Sequence, residues 1–208
     1  MPKSAIDLYQ KYFQDRQFER FDLFEIVADK LKVQRALYPG SFVHITPSFV
    51  IPDVVYVDSD EQAKQFFSKL EIYKLIAERK VYPQEAKVTF YFADYRKDFN
   101  EPSKNFDLLI SQYAGFVGQF CKPYLKTGGF LLANNSHGDA GLAAIDDDYQ
   151  LKAVFSVSNG KYRFSEKNLD EFFIPKSSVQ ITKEYLERLQ KGIGYKKTAD
   201  VYLFQKVR

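Results

Sequence analysis

A handful of polar side chains stand immediately after apolar runs, and their types and spacing limit the chemistry they can do. Gly40, in Tyr38-Pro39-Gly40-Ser41, is a position where backbone could approach a ligand closely or turn through positive φ. Asp58 follows 18 residues later, with Ser59 beside it. An acid near that spacing can accept hydrogen bonds from both hydroxyls of an adenosine ribose. Asp94 and Tyr95 close a third run, where a carboxylate could accept from an adenine amine while the aromatic lies against the ring. Ser111, Gln112 and Tyr113 follow a fourth and could close such a pocket from the other side. His137 and Asp139, in the segment 134–139, are candidate general bases. Plainer readings stand beside these. Asp58 and Asp60 could simply cap a helix, Asp94 could be a loop acid among Arg96, Lys97 and Asp98, and the 134–139 segment could be only a polar loop.

The elements that must position these residues can be read from periodicity. Ser4 can cap a helix carrying Ile6, Tyr9 and Phe13, and Phe21, Phe24, Ala28 and Leu31 repeat the pattern. Short β-branched and aromatic runs predict strands at 36–38, 54–57, 88–92, 106–110, 130–133, 149–157 and 201–204. Between the second and third lies an amphipathic helix over 61–80, with Asp60 as its N-cap. Phe116, Val117, Phe120, Cys121 and Tyr124 suggest another helix, ended by Pro123 with Gly128-Gly129 behind it. Alternation of strands and helices, with nearly continuous apolar strands, predicts an α/β fold: a doubly wound, mostly parallel seven-stranded sheet with helices on both faces and an antiparallel last strand. Ligands bind such sheets at the carboxyl ends of the strands, where the residues above fall. The expected organisation is an N-terminal helical segment over 1–34, a core domain over 35–157 and 199–208, and an insertion over 158–198. The insertion carries an Asn159-Gly160 hairpin turn and a helix over 182–191, and is a candidate lid.

Composition narrows the class. With 208 residues, 45% hydrophobic and 27% charged, the chain can bury a core, which excludes a disordered or collagen-like protein. One cysteine excludes an internal disulfide framework, and two well-separated histidines point away from a metal site, so none is expected. No apolar run reaches the roughly 18–20 residues of a membrane span, and the first residues lack a signal-like apolar stretch, so a cytoplasmic protein is expected. From Leu151 onward Lys and Arg number 12 against 6 acids, so the C-terminal third could attract an anionic partner, although a scattered solvated face would look the same. The 20 Phe and 15 Tyr divide into an expected core set (Phe66, Phe67, Phe90, Phe92, Phe116, Phe120, Phe130) and a strand-end set (Tyr38, Phe42, Tyr95, Tyr113).

From Arg35 to Leu151, together with the final strand, the chain resembles the class I S-adenosylmethionine-dependent methyltransferases in strand order, helix spacing and the acids ending the second and third strands. The resemblance implies that Pro39, Gly40 and Ser41 hold the methionine moiety of S-adenosylmethionine, with Tyr38 expected beside them in the cofactor site. It implies that Asp58 serves the ribose and that Asp94 binds the adenine amine, and Ser59, Tyr95, Ser111 and Gln112 are expected to line the same site. It further implies methyl transfer to a small-molecule or protein acceptor. This sequence departs from the family at the first turn. Tyr38 stands where an acid is usual, Phe42 and His44 stand near later glycine positions, and Pro47 and Pro52 interrupt the helix that should follow, so a short irregular connection is expected with Phe49 near the pocket. Gly40 has no glycine partners to admit a pyrophosphate, which argues against a dinucleotide. His44 reads as a packing or surface residue. The alternative to an enzyme is a non-catalytic methyltransferase-fold scaffold that has lost cofactor binding.

Overall fold

A computed structural model describes residues 4–178 and 181–208; positions 1–3 and 179–180 of the expected N-terminal segment and insertion lie outside the described residues. The chain divides into two compact units, meeting in sequence at Phe99 and Asn100.

The first unit opens with α1 (Ala5–Tyr9), where Ser4 and Asp7 form a reciprocal capping box. It widens without a break into a π-helical turn over Gln10–Gln14, closed by Asp15 N–H donating to the Gln10 carbonyl. In α2 (Phe21–Leu31) the buried face is Leu23, Phe24 and Val27; of the residues expected there, Phe21, Ala28 and Leu31 are only half-buried. Arg20, at the N-cap of this helix, stands at φ 56°. Three parallel strands follow, β1 (Arg35–Pro39), β2 (Asp53–Asp58) and β3 (Lys87–Phe92), in the order β3-β2-β1. Between β1 and β2 the prolines leave only one 3₁₀ turn, Thr46–Phe49, as expected of a helix denied its backbone donors.

The single helix expected over 61–80 is two helices, α3 (Glu61–Phe67) and α4 (Leu70–Arg79). Ser68 turns its hydroxyl back onto the Gln65 carbonyl and Lys69 is extended (φ −93°, ψ 122°), so the helical ladder stops and restarts. Asp60 caps α3 through the N–H groups of Gln62 and Ala63, as the sequence suggests. Phe67 stacks on Phe90 at 4.5 Å, joining α3 to the sheet.

The second unit contains β4 (Phe106–Ser111), β5 (Leu125–Ala133), β6 (Tyr149–Ser158), β7 (Lys161–Ser165) and β8 (Val201–Lys206). Strand β4 pairs parallel with β5, and β8 runs antiparallel between β5 and β6. The hairpin partner β7 raises the strand count among the described residues to eight rather than seven; Asn159 and Gly160, at φ 52° and 72°, give the twisted turn that the dipeptide favours. The expected helix near 116–124 shrinks to α5 (Val117–Phe120) and a 3₁₀ turn at Lys122–Tyr124 because Pro123 cannot continue it. Gly128-Gly129 lies inside β5 instead of preceding it. Phe92 and Phe120 are 43% and 46% exposed, so neither belongs to the core set. Helix α6 (Asp139–Ala144) has no expected counterpart; its six residues are too few to show a periodic face.

Within this unit the segment 158–198 packs against its neighbours in the chain. Helix α7 (Lys183–Leu189), capped by the Thr182 hydroxyl, buries Leu186 against Phe116 and Leu142, with Ile181, Tyr185 and Ile193 around them. Gly192 N–H donates to the Ser136 carbonyl at 3.2 Å, and the backbones approach so closely that a Cβ at position 192 would strike the Asn135 carbonyl oxygen. Gly192→Ala should therefore cost about 1–3 kcal/mol of stability through overpacking. Limited proteolysis should then cut within 158–198 earlier than in wild type, and unchanged cleavage would show the contact to be yielding.

Candidate functional site

In the first unit the turn after β1 is built on buried hydrogen bonds. Gly40, at φ 63°, donates its N–H to the Val57 carbonyl at 2.7 Å, which binds the turn to β2. Tyr38, Pro39 and Ser41 are buried. His44 is also buried, with Phe13 stacked on its ring at 4.2 Å. Its Nε2 faces the Glu19 carbonyl at 3.0 Å, and a carbonyl can only accept, so Nε2 carries the proton and Nδ1 accepts from the Tyr38 hydroxyl at 3.0 Å. Burial, reinforced by the nearby Arg20 charge, pushes the His44 pKa down to about 3 against the pull of the Glu19 carbonyl, so the ring is neutral. It is a packing residue. Phe49 is likewise fully buried, lying beneath the Arg79 guanidinium at 4.2 Å.

Asp58 ends β2, half-buried, and both its oxygens hold backbone. Oδ2 accepts the Phe42 N–H at 2.7 Å and Oδ1 accepts the Asp60 N–H at 2.9 Å. Phe42 stands at φ 51°, which a bulky residue adopts at a cost of about 1–2 kcal/mol. Its hydrogen bond to a carboxylate is worth about 1.5–3 kcal/mol and offsets that strain. Sequence spacing located Asp58, but the donor on Phe42 has no sequence signal. Ser59 is exposed. Asp94 is gripped by Arg96, whose Nε and Nη2 lie 2.9 and 2.7 Å from its two oxygens; the pair holds the carboxyl down at about 2. Tyr95, beside it, is half-buried.

In the second unit the candidates separate in role. The Ser111 hydroxyl donates to Asp139 Oδ2 at 2.5 Å, and Gly118 N–H donates to the same carboxylate at 2.9 Å. Asp139 is buried and joins the end of β4, the start of α5 and the start of α6; it is a structural tie, with no oxygen facing solvent. Gly118 was missed by sequence reasoning, yet a Cβ there would sit 2.7 Å from Leu131 Cδ2 and 3.0 Å from the carboxylate. Gln112 is buried and donates to the Leu132 carbonyl at 3.3 Å. His137 is half-buried and has no hydrogen-bond partner among the described residues. Tyr113 is 52% exposed. Of the basic residues in the C-terminal third, Lys197 pairs with Glu171, and Lys206 turns inward to the carbonyls of Lys122 and Leu125. Among the described residues no helix is long and apolar enough to cross a membrane.

No protein-family model matches the sequence, and no curated protein matches it. Solved structures do match the fold. A protein of Klebsiella pneumoniae described as an O-methyltransferase is 13% identical, with a TM-score of 0.50 over 77% of this chain and 94% of its own. The fold is methyltransferase-like. A methyltransferase from Geobacter sulfurreducens (14% identity, TM-score 0.49, 74% of this chain and 86% of its own) also matches. So does the Streptomyces achromogenes O-methyltransferase TomG, solved with S-adenosylmethionine (14%, 0.49, 79% and 87%). The strand orders β3-β2-β1 and β4-β5-β8-β6 are those expected of such a fold, with β7 added at the end.

Two buried groups make stability depend on pH in opposite senses. Burial raises the Asp139 carboxyl to about 6, against the pull of Ser111 and Gly118. The native state therefore holds this proton after the unfolded chain has released it, and the stability due to Asp139 falls as pH rises from about 4 to 6. Unfolding free energies of wild type and Asp139→Asn, compared at pH 4 and pH 7, should differ more in favour of wild type at pH 4, by on the order of a few kcal/mol. A constant difference would show the carboxyl to titrate normally. His44 acts the other way. The unfolded chain takes up its proton near pH 6.5 and the native state only near 3, so stability is lost as pH falls through that window. His44→Gln should flatten the acid limb of the wild-type urea-stability profile; an identical profile would mean His44 is not the group responsible.

Proposed function

We propose that the protein binds S-adenosylmethionine and transfers its methyl group to an acceptor. The observation that carries this reading is Asp58 at the end of β2. Two backbone N–H groups fix its carboxylate in place, one lone pair of each oxygen remains for a further donor, and the acid is only half-buried. That is an arrangement a vicinal ribose diol can satisfy with two parallel hydrogen bonds. By position Asp94 and Tyr95 would serve the adenine, although Arg96 already donates twice to each Asp94 oxygen and would have to give up a bond to admit the amine, and Tyr38, Pro39, Gly40 and Ser41 shape the floor beneath the amino-acid end. When bound, the cofactor supplies a methyl group on a cationic sulfur, open to in-line displacement. For such a displacement, binding and orientation by the protein provide much of the rate. The residues of this chain would hold the ribose and exclude water. No side chain is assigned as the base, since Asp139 is committed to structure.

A second reading, a methyltransferase-fold scaffold without cofactor, is favoured by one feature. The N–H groups of Gly40, Phe42 and His44 are all spent inside the protein, on Val57, Asp58 and Ser41. Calorimetric titration with S-adenosylhomocysteine separates the two. Wild type should bind, and Asp58→Asn, which keeps the shape but offers one acceptor oxygen in place of two, should bind about tenfold or more weakly. Absence of heat and of any thermal shift at millimolar ligand would leave the scaffold.

A further inference from the structure

The turn after β1 poses a problem for the amino-acid end of the cofactor. A carboxylate needs donors or a cation, yet three N–H groups of this turn are internally bonded. Side chains at Phe42 and His44 also stand where glycines would let the backbone approach. His44, the basic side chain of the turn itself, is buried between Tyr38 and the Glu19 carbonyl. If the amino-acid end binds here, its partners are side chains packed over the turn.

The π-helical turn at Gln10–Gln14 supplies them. Tyr12, half-buried, sets its ring edge-on to Phe42 with centroids 5.1 Å apart, so it adjoins the residue whose N–H holds Asp58. Two cations lie against that ring, the Arg16 guanidinium at 5.2 Å and the Lys11 ammonium at 5.5 Å. Neither has an acidic partner among the described residues. The nearby Glu19 is already committed to Arg79 and to the Tyr9 hydroxyl. Both cations are exposed, so water screens their mutual repulsion and leaves each able to turn toward an anion held at the neighbouring turn. Arg16 is the better clamp, since its planar fork matches a carboxylate bidentately whereas Lys11 offers a point charge.

Resting on the reading of Asp58 as the ribose acid, we propose that Arg16, assisted by Lys11, binds the carboxylate at the amino-acid end of S-adenosylmethionine. The N-terminal π-turn thus does the work of the missing glycine loop.

Two ligands test this by calorimetry on the full chain. S-adenosylhomocysteine carries the amino-acid end, and 5′-methylthioadenosine keeps adenine, ribose and thioether but lacks it. Arg16→Ala should weaken S-adenosylhomocysteine roughly 10- to 100-fold, leave 5′-methylthioadenosine unchanged, and be partly rescued by Arg16→Lys. Lys11→Ala should show the same selectivity with a smaller loss. If wild type binds S-adenosylhomocysteine and Arg16→Ala binds it equally well, the clamp is overturned while the ribose assignment stands. Equal weakening of both ligands overturns it too, as the mark of a merely structural role. If wild type binds neither ligand, the cofactor reading fails and the clamp with it.

Discussion

The Asp58 carboxylate is the point on which the first unit's candidate site depends. It terminates β2, holds the Phe42 N–H of the turn after β1, and holds the Asp60 N–H that starts the cap of α3. One charged group thereby sets the relation of two neighbouring strand ends and the helix that follows. The same hydrogen bond stabilises Phe42 in a left-handed conformation that a phenylalanine would otherwise avoid. The aromatic ring is thus turned to meet Tyr12, and the N-terminal helical turn acquires its footing on the sheet unit.

A layer of buried polar pairs supports that arrangement. Glu19 is partly buried, which alone would raise its pKa; hydrogen bonds from Arg79 and Tyr9 outweigh this and hold it low. Burial and the hydrogen bond to Glu19 push the Tyr9 phenol up, and its oxygen lies 2.7 Å from the Thr46 hydroxyl. The irregular connection between β1 and β2, which the prolines prevent from forming a helix, is therefore tied to the N-terminal segment by side chains. Ser48, within that connection, meets the Tyr56 hydroxyl at 2.6 Å and completes the set. The second unit uses a comparable device in Asp139, where one buried carboxylate joins three element ends. Burial raises its pKa, so this tie is least costly when protonated.

Much of the architecture was legible because the strands are short, β-branched or aromatic, and separated by marked turns. The parallel strands β1 and β2, the Asn159-Gly160 hairpin and the Asp60 cap all follow from local preference. Helix lengths were less legible. The break at Ser68-Lys69 depends on one hydrogen bond and one extended residue while apolar spacing continues through it; Pro123 marked that the later helix had to stop, but not that it ends already at Phe120. Among the site candidates, Asp58 and Asp94 were found by their positions at strand ends. The Phe42 N–H was not, because a backbone donor leaves no mark in composition, and Arg96 was read only as one of several loop charges beside Asp94, with no sign that it would grip the carboxylate.

By itself the sequence determined the alternation of elements, the acids at the ends of β2 and β3, and the degenerate first turn, since each depends on residue type within a few positions. Tertiary structure alone decided what those residues do. Asp139, a candidate base by composition, became a buried tie once folding brought Ser111 and Gly118 to it from 28 and 21 residues away. His44 became a neutral core ring because burial removes the water that would stabilise its charge. Tyr12, Arg16 and Phe42 became neighbours only through the π-turn and a positive φ, neither of which any local pattern in the chain announces.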